Sequence, residues 1–271
     1  LTVFHNGVVV HHDSVLFGPM SFETRQHYQA PPDKQPLLLQ NHGNPVRYRN
    51  LWIRPLSEET DGRDAGTALE RYRTELATWP WKVNDKQRPR QPIVAAGADG
   101  SPPADARVLF QGGDLAQWAA GATGKVTDGS LVVAGELQTK DAFGDCQVHV
   151  EWTAVGKAGS GKRAGSRLLD RYEVQLDHPV GAIRRLSPPF VIAGRESRQQ
   201  QTCDLVFSRA RAADGGQPER HAHLTVLVNG VLVQDAVLPG VPVNQRAQPL
   251  LLRDDGGSVR FRNVWVRELA R

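Results

Sequence analysis

One stretch of the chain occurs twice, and this repeat limits the possible folds more than any other feature. Residues 36–56 read PLLLQNHGNPVRYRNLWIRPL and residues 249–269 read PLLLRDDGGSVRFRNVWVREL, with twelve of twenty-one positions identical. A second repeat precedes the first in both places, because LTV followed by an Asn-Gly step occurs at residues 1–7 and again at 224–230. Repeats this far apart predict two copies of a whole domain rather than a short-period solenoid.

The two predicted copies differ in length. Residues 106–271 predict a complete second module, whereas residues 1–57 correspond only to the C-terminal part of a first module. Residues 58–105 connect them, and TALE at residues 67–70 is a capping-box pattern that predicts the start of a helix. Behind it, apolar residues recur at helical spacing, at Leu69, Tyr72, Leu76 and Trp79. We therefore expect the tail of one module, a linker with one amphipathic helix, and a full module.

Composition excludes some classes of protein and leaves one question open. The net charge is +4, but the basic residues are scattered among acidic ones, so no nucleic-acid surface is predicted. No run approaches the roughly 18 apolar residues that a membrane span requires, so no membrane span is expected. Cys146 and Cys203 each lie on an alternating apolar stripe. They are either two buried thiols or a bridge between neighbouring strands, and the sequence leaves both open.

Alternating apolar residues predict β-structure through most of the chain. The Asn-Gly steps at residues 6–7 and 229–230 each predict a tight β-hairpin. Residues 37–39 and 46–53 also predict strands, the second with a period of two residues. Between residues 106 and 271, many short strands separated by Gly, Asn and Asp turns indicate an all-β sandwich or barrel.

Several motifs of the second module resemble a known family when taken in order. They are FQGGDLAQW (110–118), FGDCQVHVEW (143–152), RYEVQ (171–175), GAI (181–183) and VRFRNVW (259–265). Together they resemble the 3-keto-disaccharide hydrolase family. The resemblance covers residues 106–271 in full and residues 1–57 as the tail of a preceding copy. It implies a concanavalin A-like jelly-roll β-sandwich, a secreted or periplasmic location, and no cofactor or metal.

The resemblance also implies a substrate, which is an oligosaccharide or a sugar oxidised at C3. A C3 ketone acidifies the neighbouring C2–H, so a base can remove that proton, the glycosidic oxygen can leave, and water can then add. Such a site needs a base, an acid for the leaving oxygen and donors that hold the enolate. It does not need the two carboxylates at a fixed separation that ordinary glycosidases use.

The candidate catalytic residues lie on one predicted strand. Alternation places Glu173, Gln175 and Asp177 on one face of residues 172–177, and the apolar or aromatic side chains on the other. A solvated outer face gives the same pattern in antiparallel sheets. The resemblance favours a ligand-facing surface, so these three residues are predicted to be catalytic.

The candidate substrate-binding residues come from four places. His149 and Glu151 alternate against the core stripe of their strand, so they either supply acid–base chemistry or are solvated polar positions. His221 and His223 share a face, but no third ligand follows at a fitting spacing, so no metal site is predicted. The resemblance adds residues around the strands, which are Arg163, Asp254 and Asp255 in the second module and Gln40, Asn41 and His42 in the tail.

Two functions remain open from the sequence. In the tail, the loop QNHGN is close to the family's Q-D-H-G-N, whereas the second module has Asp255 in place of the His. Likewise Arg163-Ala-Gly stands where the family has Asn-Ser-Gly. The chain is therefore either an enzyme that cleaves 3-keto-glycosides or a non-catalytic carbohydrate-binding or structural module with a degenerate pocket. In both cases the first module is expected to pack on the second within the chain, because its strand edges otherwise lie exposed.

Overall fold

A computed structural model describes residues 1–14, 34–56, 87, 92–97, 100–119, 123–155, 164–167, 172–212, 218–256 and 259–269. The predicted helix behind residues 67–70 and the candidate Arg163 lie outside these ranges. Sixteen strands and no helix occur in the described part; twelve of the strands form a β-sandwich, and those within residues 3–11 and 211–220 form two separate two-stranded sheets. The all-β sandwich that the sequence predicts is confirmed.

Short turns join many of the strands, and longer segments separate the second strand from the third and the ninth from the tenth. The strands are β1 (Val3–His5), β2 (Val8–His11), β3 (Arg107–Phe110), β4 (Gly124–Thr127), β5 (Ser130–Val133), β6 (Gly135–Phe143), β7 (Cys146–Ala154), β8 (Ala164–Arg167), β9 (Glu173–Gln175), β10 (Gln200–Ser208), β11 (Arg211–Ala212), β12 (Pro218–Arg220), β13 (Ala222–Val228), β14 (Val231–Leu238), β15 (Gln248–Asp254) and β16 (Val259–Glu268).

Two antiparallel sheets form the sandwich. The large sheet has the order β14-β13-β10-β7-β16-β5-β4, with β3 also paired to β16. The small sheet has the order β6-β15-β8-β9. Because side chains alternate along a strand, each sheet sends every second residue into the shared core and the others outward. Val148 and Val150 of β7 and Val174 of β9 belong to the same buried cluster. The outward-facing residues of β7 and those of β9 therefore lie on opposite sides of the molecule.

The two cysteines are buried free thiols on neighbouring strands. In the register of β7 and β10, Cys146 lies opposite Phe207 and Cys203 lies opposite Val150. The thiols are therefore four positions apart along the strands, or roughly 13 Å, which is too far for a disulfide. The bridge that the sequence left open is excluded. Burial raises the pKa of both thiols, which keeps them protonated.

The strands predicted at residues 37–39 and 46–53 are not formed, so this prediction is wrong for the structure as described. Residues 34–56 contain no strand, and most of their side chains are exposed. An extended segment becomes a stable strand only when its backbone groups pair with a neighbour and one face is covered. The alternating pattern is that of a strand, but in the described part of the structure no strand pairs with this segment.

The predicted N-terminal hairpin is present as β1 and β2. Asn6 and Gly7 have φ values of 51° and 78°, as a two-residue turn of this kind requires. The hairpin lies on the outer face of the large sheet, where Gln147 accepts a bond from the Val9 amide (3.1 Å) and donates to the Gly7 carbonyl (2.7 Å). Arg267 also donates to the Val9 carbonyl (3.1 Å). These bonds join the hairpin to β7 and β16 of the large sheet.

The turn between β13 and β14 gives a first testable prediction. Gly230 has a φ of 77°, and we expect Gly230→Ala to destabilise the protein by about 1–2 kcal/mol because an L-residue is strained there. Gly113→Ala is the matched control, since a Cβ at Gly113 has open space and its φ lies outside the left-handed region. Urea denaturation measures both. If Gly230→Ala and Gly113→Ala are equally stable, the positive φ at residue 230 does not destabilise the alanine variant.

Candidate functional site

Strand β9 places Glu173 on the outer face of the small sheet. Its neighbour Val174 points into the core, and Arg167 of β8 lies directly opposite Glu173. The side chain of Glu173 lies across Gly165, where an added Cβ would come within 2.7 Å of its Cγ and Oε1 atoms. Gly165 therefore makes the room in which the carboxylate rests against the sheet.

Arg184 holds this carboxylate from the other side. Its Nε donates to Glu173 Oε1 at 2.9 Å, and its Nη2 lies 3.9 Å from Asp177 Oδ1. The arginine is fixed in place because its backbone amide donates to the Glu173 carbonyl (2.9 Å). The Nη2 atom is buried and has no hydrogen-bond partner within the described structure. One cationic donor is thus left over beside the two carboxylates.

Gln175 and Asp177 complete this group. Gln175 Nε2 donates to Asp177 Oδ1 at 3.4 Å, so both side chains lie on the same side of the sheet as Glu173. Burial raises the pKa of Asp177 above its usual value, against the opposing effects of the Gln175 hydrogen bond and the Arg184 charge. Asp177 is therefore more readily protonated than an exposed aspartate. The structure brings together all three residues that were predicted to be catalytic.

Further ion pairs continue across the same sheet. Arg253 Nε donates to Asp255 Oδ1 at 2.8 Å, and its Nη1 lies 3.0 Å from Glu136 Oε1. Arg167 lies 3.7 Å from the other oxygen of Glu136. These hydrogen bonds and charges raise the pKa of Arg253, the bond to Asp255 contributing most. The face therefore carries alternating charges that nearly cancel, and Asp255 belongs to it through Arg253.

Asp254 faces the other way. It is fully buried and accepts hydrogen bonds from the backbone amides of Gly256 (3.0 Å) and Val259 (2.7 Å). These bonds close the loop between β15 and β16. Asp254 therefore stabilises this loop and does not lie on the Glu173 side of the sheet.

Asp254 gives a second testable prediction. We expect Asp254→Ala to lower the free energy of unfolding by about 1–3 kcal/mol, because two backbone amides lose their acceptor inside the protein. The measurement is urea denaturation of the variant beside Asp255→Ala, whose exposed carboxylate is paired with Arg253. The control should change stability by about 1 kcal/mol or less. A loss of equal size in both variants would contradict the assignment.

His149 and Glu151 lie on the opposite side of the molecule, on the outer face of the large sheet. His149 Nδ1 is 2.8 Å from Asp204 Oδ1, and its Nε2 is 3.5 Å from Glu151 Oε1. The imidazole stacks on Trp265, with ring centroids 5.1 Å apart. Asn263 also donates to Glu151 at 2.8 Å. These two predicted binding residues therefore form a separate cluster and do not converge on Glu173.

The charges of this second cluster support one another. Burial disfavours the His149 cation, but the hydrogen bonds to Asp204 and Glu151 outweigh it and raise its pKa to about 9. Burial would also raise the pKa of Glu151, yet the bonds from His149 and Asn263 lower it below its usual value. The cluster at neutral pH is thus a cation between two carboxylates. A histidine held in this form does not serve as a base near pH 7.

The remaining predicted residues lie elsewhere. Gln40, Asn41 and His42 are exposed in the segment 34–56, whose Tyr48 donates to the Gln40 carbonyl at 2.7 Å. The sequence did not point to Arg184, which directly follows the GAI motif. A loop residue has no periodicity, so only its position after a family motif could have suggested it.

His221 and His223 do not form a metal centre. His223 is buried, with its Nδ1 atom 3.4 Å from His12 and its Nε2 atom 3.3 Å from Asp235. In the part of the chain that the structure describes, no three His, Cys, Asp or Glu side chains are arranged to hold a metal ion. Nor does that part contain a helix long and apolar enough to cross a membrane.

Comparison with known proteins agrees with this architecture. The chain matches the 3-keto-alpha-glucoside-1,2-lyase-like domain over residues 1–54 and 105–267, which is more than half of its length. No curated protein has a sequence that matches it.

A solved structure with 31% sequence identity shares the fold. A glycosyl hydrolase candidate from Parabacteroides distasonis is 31% identical, with a TM-score of 0.58 over 67% of this chain and 93% of that one. A second from the same organism is 14% identical, with a TM-score of 0.48 over 61% and 94%. The alginate lyase Aly36B is 11% identical, with a TM-score of 0.41 over 61% and 97%. The chain belongs to the family of 3-keto-alpha-glucoside-1,2-lyase-like domains and is related to carbohydrate-active proteins.

Proposed function

We propose that the protein cleaves the glycosidic bond of 3-keto-glycosides by removing the C2 proton and expelling the C1 oxygen. The observation that carries this proposal is the connected group of Glu173, Arg184 and Asp177 on one sheet face. It contains a carboxylate base, a cationic donor and a carboxyl group with a raised pKa. These are the three functions that the reaction needs.

Each residue has one step. Glu173 accepts the proton from C2, and the electron pair left behind forms the C2–C3 enolate, whose negative charge lies on the C3 oxygen. Arg184 donates to that oxygen through its spare Nη2 hydrogens. The C3 carbonyl then re-forms, the C2–C3 π electrons move to form the C1–C2 double bond, the bond from C1 to the glycosidic oxygen breaks, and Asp177 protonates the leaving oxygen. Water adds to C1 of this enone and gives its proton to the Asp177 carboxylate. Glu173 returns its proton to C2, which completes the hydrolysis and restores both carboxyl groups.

Arg184 has a double effect in this scheme. Its Nε donates to Glu173 Oε1 at 2.9 Å and so holds the base in place on the sheet face. Its charge stabilises the enolate more than the neutral ketone, because negative charge grows on the C3 oxygen during the step. An arginine placed between base and substrate oxygen therefore lowers the barrier of proton abstraction.

The test is to incubate a 3-keto-glucoside with the full chain in D₂O and follow two signals by NMR. Deuterium entering C2 of unreacted substrate reports proton abstraction, and released alcohol reports cleavage. Asp177→Asn should keep the exchange and lose most of the cleavage, because only the second step needs the acid. Absence of both exchange and cleavage in the wild type would rule out the proposal.

One observation favours the second candidate function, a sugar-binding or structural module with a degenerate pocket. The Glu173 side chain is only 8% exposed and is already paired with Arg184, so substrate must displace or share that contact. For this candidate, calorimetry should give saturable binding of an unoxidised oligosaccharide to a chain that shows no turnover. Binding that disappears in Glu173→Gln would place the sugar on the same face.

We further propose that residues 106–271 are the complete module and residues 1–57 the tail of a first one, joined through 58–105. The support is the sequence repeat and the hairpin that Gln147 and Arg267 hold on the large sheet. Substituting Gln147 with Leu should release the hairpin. Faster proteolytic cleavage within residues 1–14 would show it.

A further inference from the structure

The segment 36–56 has the side chains of two buried strands but lies uncovered. Trp52 is 68% exposed and Leu37 is 71% exposed. Apolar side chains of this size, side by side in one short segment, indicate a surface that another element covers. The same segment contains further exposed apolar residues, which are Leu38, Leu39, Val46, Tyr48, Leu51, Ile53 and Leu56.

The repeat identifies what these side chains are built for. Residues 249–269 align with residues 36–56 without a gap and form β15 and β16. Trp265, the counterpart of Trp52, is 3% exposed, and Leu250, the counterpart of Leu37, is fully buried. The large apolar side chains that the two segments share are thus buried where partner strands are present and exposed in residues 36–56.

At one aligned residue, the uncovered segment has the same backbone conformation as its counterpart. Asn263 has a φ of 41° and lies in the irregularity between Arg262 and Trp265 where β16 pairs with β7. Asn50, the aligned residue, has a φ of 53° although it pairs with no strand. Positive φ at a non-glycine residue is uncommon, so the shared value indicates that residues 36–56 keep the local bend that β16 has at Asn263.

The partners of β15 and β16 define the surface that the segment fits. β15 lies between β6 and β8, and β16 lies between β7 on one side and β3 and β5 on the other. This position is filled by residues 249–269 in the present sandwich. Any other copy of the chain has this position filled by its own residues 249–269, so a second copy offers no place for residues 36–56.

We propose that residues 36–56 are a docking element for a β-sandwich of this same family whose own last two strands are missing. Residues 37–39 pair with strands of the β6 and β8 type, and residues 46–53 with a strand of the β7 type. Trp52 enters the place that Trp265 occupies in the described sandwich. The partner is thus recognised by strand pairing along its open edges and by its uncovered core.

The test exchanges the two segments within the full chain. In one variant residues 249–269 are replaced by the sequence of residues 36–56, and in its control by the same residues in scrambled order. Both carry Leu39→Asp and Trp52→Asp in the original segment, so that it cannot fill the position itself. We expect the first variant to keep a cooperative thermal transition followed by circular dichroism, and the control to lose it.

The partner is tested with a fluorescent peptide of residues 36–56. It should bind the scrambled-tail chain and restore its transition, whereas the intact chain should leave it unbound in anisotropy measurements. If the exchanged variant unfolds like the scrambled control, the segment does not encode this strand pair. If the intact chain self-associates in sedimentation and Trp52→Asp abolishes this, the occupant is a second copy and the proposal is overturned.

Discussion

Glu173→Gln is expected to lower kcat/KM for a 3-keto-glucoside by about 10²–10⁴-fold, the range that one general base contributes. The amide keeps the volume of the side chain, and its oxygen can still accept the bond from Arg184 Nε that the carboxylate accepts now at 2.9 Å. It cannot take a proton from C2. The variant should therefore fold normally and lose deuterium exchange at C2 together with cleavage.

The matched control is Glu196→Gln, which makes the same chemical change at an exposed glutamate of a loop. It should keep the wild-type rate. A Glu173→Gln variant that retains full exchange would assign the base to another residue. Loss of cleavage with unchanged exchange would instead place Glu173 in the second step.

Gly165→Ala is expected to displace the Glu173 carboxylate without removing it. The new Cβ would lie 2.7 Å from the Cγ and Oε1 atoms of Glu173, so the side chain must move away from β8. We expect a smaller loss of kcat/KM, of about 10–10²-fold, because the base is misplaced but intact. Unchanged activity in a stably folded variant would mean that the carboxylate does not act from the position seen here.

The position of Glu173 could be predicted from the sequence because a strand has a simple period. Alternation over residues 172–177 separates the core side chains from the polar ones, and the structure places Val174 and Leu176 in the core. Arg184 could not be predicted in this way. It reaches Glu173 from a loop, and the distance between a loop residue and a strand depends on the path of the backbone rather than on a pattern.

Sequence alternation also could not predict which candidate residues lie close together in the structure. His149 and Glu173 both alternate against apolar neighbours, so both appear as polar residues on a sheet face. Their strands belong to different sheets, however, and outward faces of the two sheets point in opposite directions. Pairing between distant strands decides this, and a single sequence does not contain it. Alternation does not reveal β6 and β8 either, because their sequences, GELQTKDAF and AGSR, are polar or small and do not alternate clearly.

His149 is expected to make the stability of the protein depend on pH. Its pKa is about 9 in the folded protein and 6.5 in an ordinary environment, so the native state holds its proton more tightly than the unfolded state. A raised pKa stabilises the fold fully below the unfolded value, and this contribution falls as pH rises from 6.5 to about 9. The shift corresponds to about 3 kcal/mol, at 1.36 kcal/mol for each pH unit.

His149→Gln isolates this contribution, because glutamine fills a similar space and carries no charge. The free energies of unfolding of both proteins should be measured by urea denaturation at about pH 6 and about pH 9.5. The variant should be less stable at the lower pH, because Asp204 and Glu151 lose the cation between them. Its disadvantage should shrink by about 3 kcal/mol at the higher pH, where the wild-type imidazole is neutral as well. A difference that stays constant between the two pH values would show that His149 is not held as a cation by these carboxylates.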